Sequence, residues 1–192
     1  MDELKKYEGA LIRIHSGRKA KSDAILFARH HEAVNLRGSK DEAALPGFAT
    51  IASELAEQIP HIDAVFIPCS SATSSVAIAR EFIRLQKNVA VHVCQNVRIN
   101  PIAGQFDSDF LPAGSSLSDC IVDRVVLRRN DVTELIRASD GSGWVISDEQ
   151  LLNARDAAPG YSFNSLLALA AWQKAVAHGY EYKYPVAVMS GR

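Results

Sequence analysis

The strongest constraint in this sequence is the repeated exchange of short, wholly apolar runs for segments with apolar residues at helical spacing. Ala64-Val65-Phe66-Ile67-Pro68, Val89-Ala90-Val91-His92-Val93-Cys94 and Pro185-Val186-Ala187-Val188-Met189 are runs of the first kind. A strand reads as continuously apolar when both of its faces are covered, as in a parallel sheet between helices. Ala10 to His15, Ile121 to Leu127 and Trp144-Val145-Ile146 read as further strands. The helical stripe recurs over Lys19–Glu32, Thr50–Gln58, Thr73–Gln86, Asn130–Ala138 and Phe163–His178. In the third of these it turns Val76, Ala79, Phe82 and Ile83 inward. Asn130 is read as the cap of the fourth, Gly179 as the stop of the fifth, and Ser147 with Gln150 as a capping box. Val34–Pro46 is polar and reads as a loop, and Asn96–Ser118 is a long irregular stretch of the kind that usually carries function. Strand and helix alternate throughout, which makes the fold class α/β with a mostly parallel sheet.

Composition narrows the function classes. The 192 residues are 47% hydrophobic and 22% charged, which excludes a disordered tail or a fibre. A net charge of -1 leaves no basic excess for binding nucleic acid through its phosphates. Cys69, Cys94 and Cys120 are widely spaced and form no CxxC pair, so they read as thiols of a reducing compartment. The charged start, Met1 to Lys6, is unlike a signal peptide, and no apolar run is long enough to span a membrane. A cytoplasmic location is the expectation.

In parallel sheets, ligands bind beyond the carboxyl ends of the strands, beside helix N-termini. Cys69-Ser70-Ser71-Ala72-Thr73-Ser74-Ser75 occupies such a place. Small hydroxyl residues and a helix dipole suit a phosphate, but from the pattern alone an ordinary Ser/Thr-capped helix start is the favoured reading. Cys69 lacks the flanking glycines of a nucleophile elbow and reads as a buried thiol. His30 and His31 point roughly 100° apart on a helix, and no histidine pair has metal-ligand spacing, so no metal is expected. Arg128-Arg129 reads as a solvated strand end.

Taken together, these segments resemble the fold-type II pyridoxal-phosphate (PLP) enzymes, the superfamily of tryptophan synthase β, cysteine synthase, threonine dehydratase and threonine synthase. The resemblance lies in Pro46 to Ala52, Asp63 to Pro68 with its Ser-rich turn, Asn100 to Ala103, Ser116 to Asp123, Gly143 to Glu149 and Val186 to Gly191. These matches run in order across nearly the whole chain, and Ser116–Asp123 is most similar to threonine synthase-like members. The resemblance implies a three-layer α/β sheet and PLP as cofactor. It implies that Ser70, Ser71, Ala72, Thr73 and Ser74 cradle the PLP phosphate, that Ser190 meets the pyridine nitrogen, and that Asn164 lies near the ring.

Two departures stand out. The family's phosphate loop is rich in glycine, whereas no glycine lies between Gly47 and Gly104. The Schiff-base lysine of the family sits in an N-terminal Ser-Phe-Lys-type segment, and none of Lys5, Lys6, Lys19, Lys21, Lys40, Lys87, Lys174 or Lys183 has that setting. No catalytic residue is therefore assigned. The expectation is an incomplete enzyme: residues 1–45 a remnant of the smaller domain, residues 46–192 the PLP-binding domain. It would be silent alone, and active on a small amino acid only with a lysine-bearing segment. A homodimer or a partner chain should cover the missing half. The alternative is a non-catalytic α/β module that binds a small phosphorylated ligand or serves as a homo-oligomeric interaction protein.

Overall fold

The computed structural model describes residues 19–31, 33, 39 and 41–191. The chain forms two compact units, Met1–Arg37 and Gly38–Arg192. In the first, the described residues form helix α1 (Ala20–His30), with Asp23 in its first turn and Arg29 and His30 in its last. The charges of Asp23 and Arg29 complement the helix dipole. The strand expected over Ala10–His15 lies outside the described residues.

The second unit is built on four strands, β1 (Ala64–Pro68), β2 (Ala90–Asn96), β3 (Gly143–Ile146) and β4 (Pro185–Ala187). They lie in the order β3-β2-β1-β4, and every pair is parallel. Around them are α2 (Leu45–Gln58), α3 (Thr73–Arg84), α4 (Arg129–Ala138), α5 (Asp148–Ala157) and α6 (Phe163–Ala177). Alternation along the strands divides the core into two layers. Phe66, Cys94, Trp144 and Ile146 pack with Leu151 of α5 and Leu166 and Leu167 of α6. Val65, Ile67 and Val91 meet Ala52 of α2 and Ile78 and Phe82 of α3, while Val93 and Val145 meet Val132 and Ile136 of α4. The fold is a three-layer α/β sandwich, as the apolar runs require. Among the described residues, no helix is long and apolar enough to cross a membrane.

Several local expectations hold. Ser147 Oγ accepts from Gln150 N at 3.2 Å and Gln150 Oε1 accepts from Ser147 N at 2.9 Å, completing the capping box of α5. Gly179 ends α6 at φ 85°, in the left-handed region that favours glycine. Gly141 serves close approach instead: a Cβ there would overlap the Val91 carbonyl of β2.

Other expectations are corrected. The α2 helix begins at Leu45 rather than Thr50, because Pro46 sits in its first turn, where a missing N–H costs nothing. Ile83 is 60% exposed rather than inward. The α4 helix begins at Arg129, with Arg128 in the cap position, so Asn130 is not its cap. The last strand stops at Ala187 and is half-buried. Ile121–Leu127 is no strand at all, with Val125 83% and Leu127 64% exposed. Its amides at Val122 and Asp123 donate to a side chain, Ser70 Oγ, instead of joining a ladder.

A polar cluster is buried within the sheet. His92 is fully buried and stacks on Phe66, with ring centroids 4.4 Å apart. Its Nδ1 accepts from Ser142 N at 3.0 Å and from Trp144 Nε1 at 3.1 Å. That fixes the proton on Nε2, which donates to Tyr182 Oη at 2.8 Å. Burial pushes the His92 pKa down to about 4, so the ring is neutral at ordinary pH.

Candidate functional site

The strand order locates the site. From β1 the chain steps to β2 and β3 on one side, and β4 then returns on the other side of β1. The order reverses between β1 and β4, and in such sheets ligands bind outside the carboxyl ends of the strands at that switch point. The segments leaving those strands are Cys69–Ala72 and Val188–Gly191, which carry the sequence-assigned Ser70, Ser71, Ala72 and Ser190.

The turn after β1 has an unusual backbone. Ala72, at the cap position of α3, has φ 65° and ψ 9°. A left-handed conformation costs a Cβ-bearing residue about 1–2 kcal/mol. No side chain caps the helix, whose first backbone bond runs from Val76 N to Ala72 O at 3.0 Å. The amides of Ser74 and Ser75, in its first turn, have no acceptor within the helix. Ser71 Oγ and Thr73 Oγ1 are hydrogen-bonded at 3.0 Å. Ser70, Ser71 and Ser74 are half-buried, and Ala72 and Thr73 are buried.

Arg128 stands behind this turn and is not a solvated strand end. Its side chain is 6% exposed and pairs with Glu42 at 2.9 Å. It donates to Ser39 O at 2.8 Å, Asp41 O at 3.2 Å and Thr73 Oγ1 at 3.4 Å. Its partners lie far away along the chain, so nothing in the local sequence distinguished it from its exposed neighbour Arg129.

A strap formed by residues 116–123 links the turn after β1 to the starts of α5 and α6. At one end Ser116 Oγ and Leu117 N donate to Asp148 Oδ1, each at 2.9 Å. In the middle, Asn164 Oδ1 accepts from Ser118 Oγ at 2.8 Å and Cys120 N at 3.0 Å, and Asn164 Nδ2 donates to Asp119 Oδ1 at 2.9 Å. That amide holds the Asp119 carboxyl below its usual range. At the far end, Ser70 Oγ donates to Asp123 Oδ2 at 2.9 Å and accepts from Val122 N at 3.2 Å and Asp123 N at 3.3 Å. A hydroxyl has one donor and two acceptor positions, so Ser70 is fully occupied.

The last residues of β2 hold these loops in place, a role the sequence reading missed. Buried Gln95 donates to Cys69 O at 3.0 Å and accepts from Ile102 N and Ala103 N at 2.9 Å. Buried Asn96 donates to Ser118 O at 2.8 Å and accepts from Arg98 N and Ile99 N. Two amide side chains closing an otherwise mostly apolar strand were the available signal. Ser190 lies beyond β4 and is exposed, and Gly191 beside it exchanges 2.8 Å hydrogen bonds with Ser165 Oγ at the start of α6. The structure thus joins Ser70 and Asn164 through the strap, and brings Ser190 to the same end of the sheet.

The site's thiol is no nucleophile. Burial pushes Cys69 up to about 11, against hydrogen bonds from Ser75 and the Ala72 backbone, and the Asp123 charge pushes it further the same way. Two lysine amines of this unit are engaged elsewhere. Lys87 donates to Pro60 O at 3.1 Å, and Lys174 is buried against Asp107 at 2.7 Å. No cluster of potential metal ligands occurs among the described residues.

Residues 2–158 match the family described as pyridoxal-phosphate dependent enzyme. The chain belongs to this family. Its fold is that of solved PLP-dependent enzymes. Maize serine racemase is 16% identical with a TM-score of 0.74, covering 100% of this chain and 63% of its own. Serine racemase from Dictyostelium discoideum is 15% identical with a TM-score of 0.74, covering 92% and 59%. The T.th. threonine deaminase is 16% identical with a TM-score of 0.69, covering 90% and 61%. The chain thus spans about three fifths of the length of these structures. They are racemases and a deaminase, and the narrower likeness to threonine synthase is not among them. No curated protein sequence matches the chain.

The turn fits the phosphate end of the family's cofactor. It keeps a left-handed residue and an uncapped first helical turn at the switch point, although Ala72 stands where the family favours glycine. Backbone amides at a helix N-terminus form an anion site whatever their side chains, provided these are small.

Proposed function

We propose that this chain carries the phosphate-binding part of a fold-type II PLP enzyme acting on a small amino acid. The observation that carries the reading is the uncapped, left-handed turn at Ala72, placed at the switch point of a sheet in a PLP family. The amides of Ser74 and its neighbours, with the hydroxyls of Ser71 and Thr73, would bind the phosphate. Arg128, donating to Thr73, supplies positive charge behind them. Ser190 offers a neutral hydroxyl for the pyridine nitrogen, and Asn164 orients the strap at the ring side. Bound PLP supplies the electron sink for charge developing at the amino acid Cα. The lysine that moves the Cα proton comes from polypeptide outside the described residues, and without it the chain is catalytically silent. Residues 1–45 then belong with the smaller domain and residues 46–192 with the cofactor domain. The names of the similar structures, serine racemase and threonine deaminase, support a small hydroxy amino acid as substrate. Leu111, Leu117, Val122, Val125 and Leu127 are 40–87% exposed in one stretch, which supports a second copy or partner chain covering it.

The test is a titration with PLP, followed by absorbance, of the chain and of Ser74→Glu. Saturable binding that the added carboxylate abolishes supports the reading; absence of binding, or equal binding by both, refutes it. That no lysine of the sequence stands in the family's Ser-Phe-Lys-type setting favours a second reading, a non-catalytic binder of a small phosphorylated ligand. In that case binding occurs, but borohydride never fixes the cofactor to a lysine, even with a lysine-bearing partner present.

A further inference from the structure

The Ser70–Asp123 contact has no role in the reading above, and it opposes the ligand that the turn is built for. Asp123 is half-buried beside the turn and places a carboxylate oxygen 2.9 Å from Ser70 Oγ. It forms no ion pair among the described residues. Its negative charge also raises the Cys69 thiol pKa, so its field reaches the base of the loop. A phosphate arriving at the first turn of α3 meets a like charge and a serine whose hydrogen is already taken. Between buried Ile121 and Val126, the segment carrying Asp123 hydrogen-bonds through Val122 N and Asp123 N to Ser70 Oγ, at 3.2 and 3.3 Å, while Val122 and Arg124 are exposed. The strap's stronger attachment is at Asn164 and Asn96, further back.

We propose that Asp123 is a resident competitor for the anion site, latched on Ser70 when the site is empty and displaced when a phosphate group binds. The inference rests on the phosphate-binding reading of the turn. Asn164 keeps the strap anchored as its far end moves, so the latch can close again when the ligand leaves. The carboxylate would weaken binding of free phosphate. It would favour a ligand whose phosphate is joined to a larger body with its own contacts, as in PLP.

Two measurements test this on the full chain. In calorimetric titrations with inorganic phosphate and with PLP, Asp123→Asn and Asp123→Ala should bind phosphate about tenfold or more tightly than the unaltered chain. A unit charge a few ångströms away is worth about 1 kcal/mol in water and several times that near a protein surface. The gain for PLP should be smaller. In the unaltered chain, saturating PLP should speed hydrogen exchange at the Val122 and Asp123 amides and leave that of Cys120, held by Asn164, unchanged. This second readout does not depend on any variant folding. Phosphate binding within twofold across all three chains, or unchanged exchange at Val122 and Asp123 on PLP saturation, overturns the latch and leaves the phosphate loop standing. Absence of phosphate and PLP binding in all three folded chains overturns the loop reading, and the latch with it.

Discussion

Replacing Lys174 with methionine isolates the charge of the most deeply buried ion pair. Lys174 Nζ donates to Asp107 Oδ2 at 2.7 Å, Asp109 O at 2.7 Å and Val145 O at 3.1 Å, so all three ammonium hydrogens are placed. The two side chains are 4% and 3% exposed. Asp107 also accepts from Val145 N at 2.8 Å and Asp109 N at 2.9 Å, which ties the long loop after β2 to β3 and α6. Methionine keeps most of the apolar stem and removes the charge together with its three hydrogen bonds. Leaving one member of a buried pair uncompensated costs about 3–5 kcal/mol. Domain stability is typically about 5–15 kcal/mol, so the variant should fold but unfold at much lower urea. Adding Asp107→Asn to Lys174→Met removes the stranded charge and should recover a substantial part of the loss. Equilibrium urea unfolding reads both effects. A loss below about 1 kcal/mol for Lys174→Met, with an unchanged m-value, would falsify the claim that this pair holds the loop.

Three other outcomes follow from the structure. His92 has its pKa lowered from 6.5 to about 4 by burial, so the folded state binds fewer protons than the unfolded chain. Its contribution to stability is therefore complete above pH 6.5 and lost as pH falls toward 4. Nitrogen NMR should show a neutral, Nε2-protonated ring at pH 6, and titration near pH 6.5 would contradict this. At Ala72, glycine relieves about 1–2 kcal/mol of left-handed strain but gives up a buried methyl and adds unfolded-state freedom, each worth about 0.5–1 kcal/mol. Ala72→Gly should thus change stability by less than about 1 kcal/mol, while the β-branched Ala72→Val loses at least about 2 kcal/mol in the same urea assay. Gly141→Ala should destabilise by more than about 2 kcal/mol, because its methyl overlaps the Val91 carbonyl and the backbone of β2 cannot yield; a near-neutral melt would refute that contact.

What could be read from the sequence was what depends on near neighbours. The apolar runs of β1 and β2 announce burial on both faces, Ser147 and Gln150 announce a helix start, and Gly179 its end. The turn after β1 was also legible, since strand, hydroxyl cluster and helix follow one another directly. The missing glycines of the turn were legible too, and Ala72 takes φ 65° without one. Ile121–Leu127 misled because apolar composition says nothing about whether a neighbouring strand is at hand, and here Ser70 takes the amides. Arg128 looked like a surface charge because its partner Thr73 lies 55 residues away, and the contact of Asp123 with Ser70, 53 residues away, left no local signal. Lys174 was indistinguishable from any helix-face lysine, with Asp107 67 residues upstream.

The central claim is that the first turn of α3 binds a phosphate group. Amide NMR of the isotopically labelled chain during addition of PLP tests it directly. The account expects saturable shifts at Ser71, Ala72, Thr73 and Ser74, accompanied by Val122 and Asp123, with Gly141 and the opposite end of the sheet unmoved. Shifts confined to other parts of the chain, or none at saturating PLP, would contradict it.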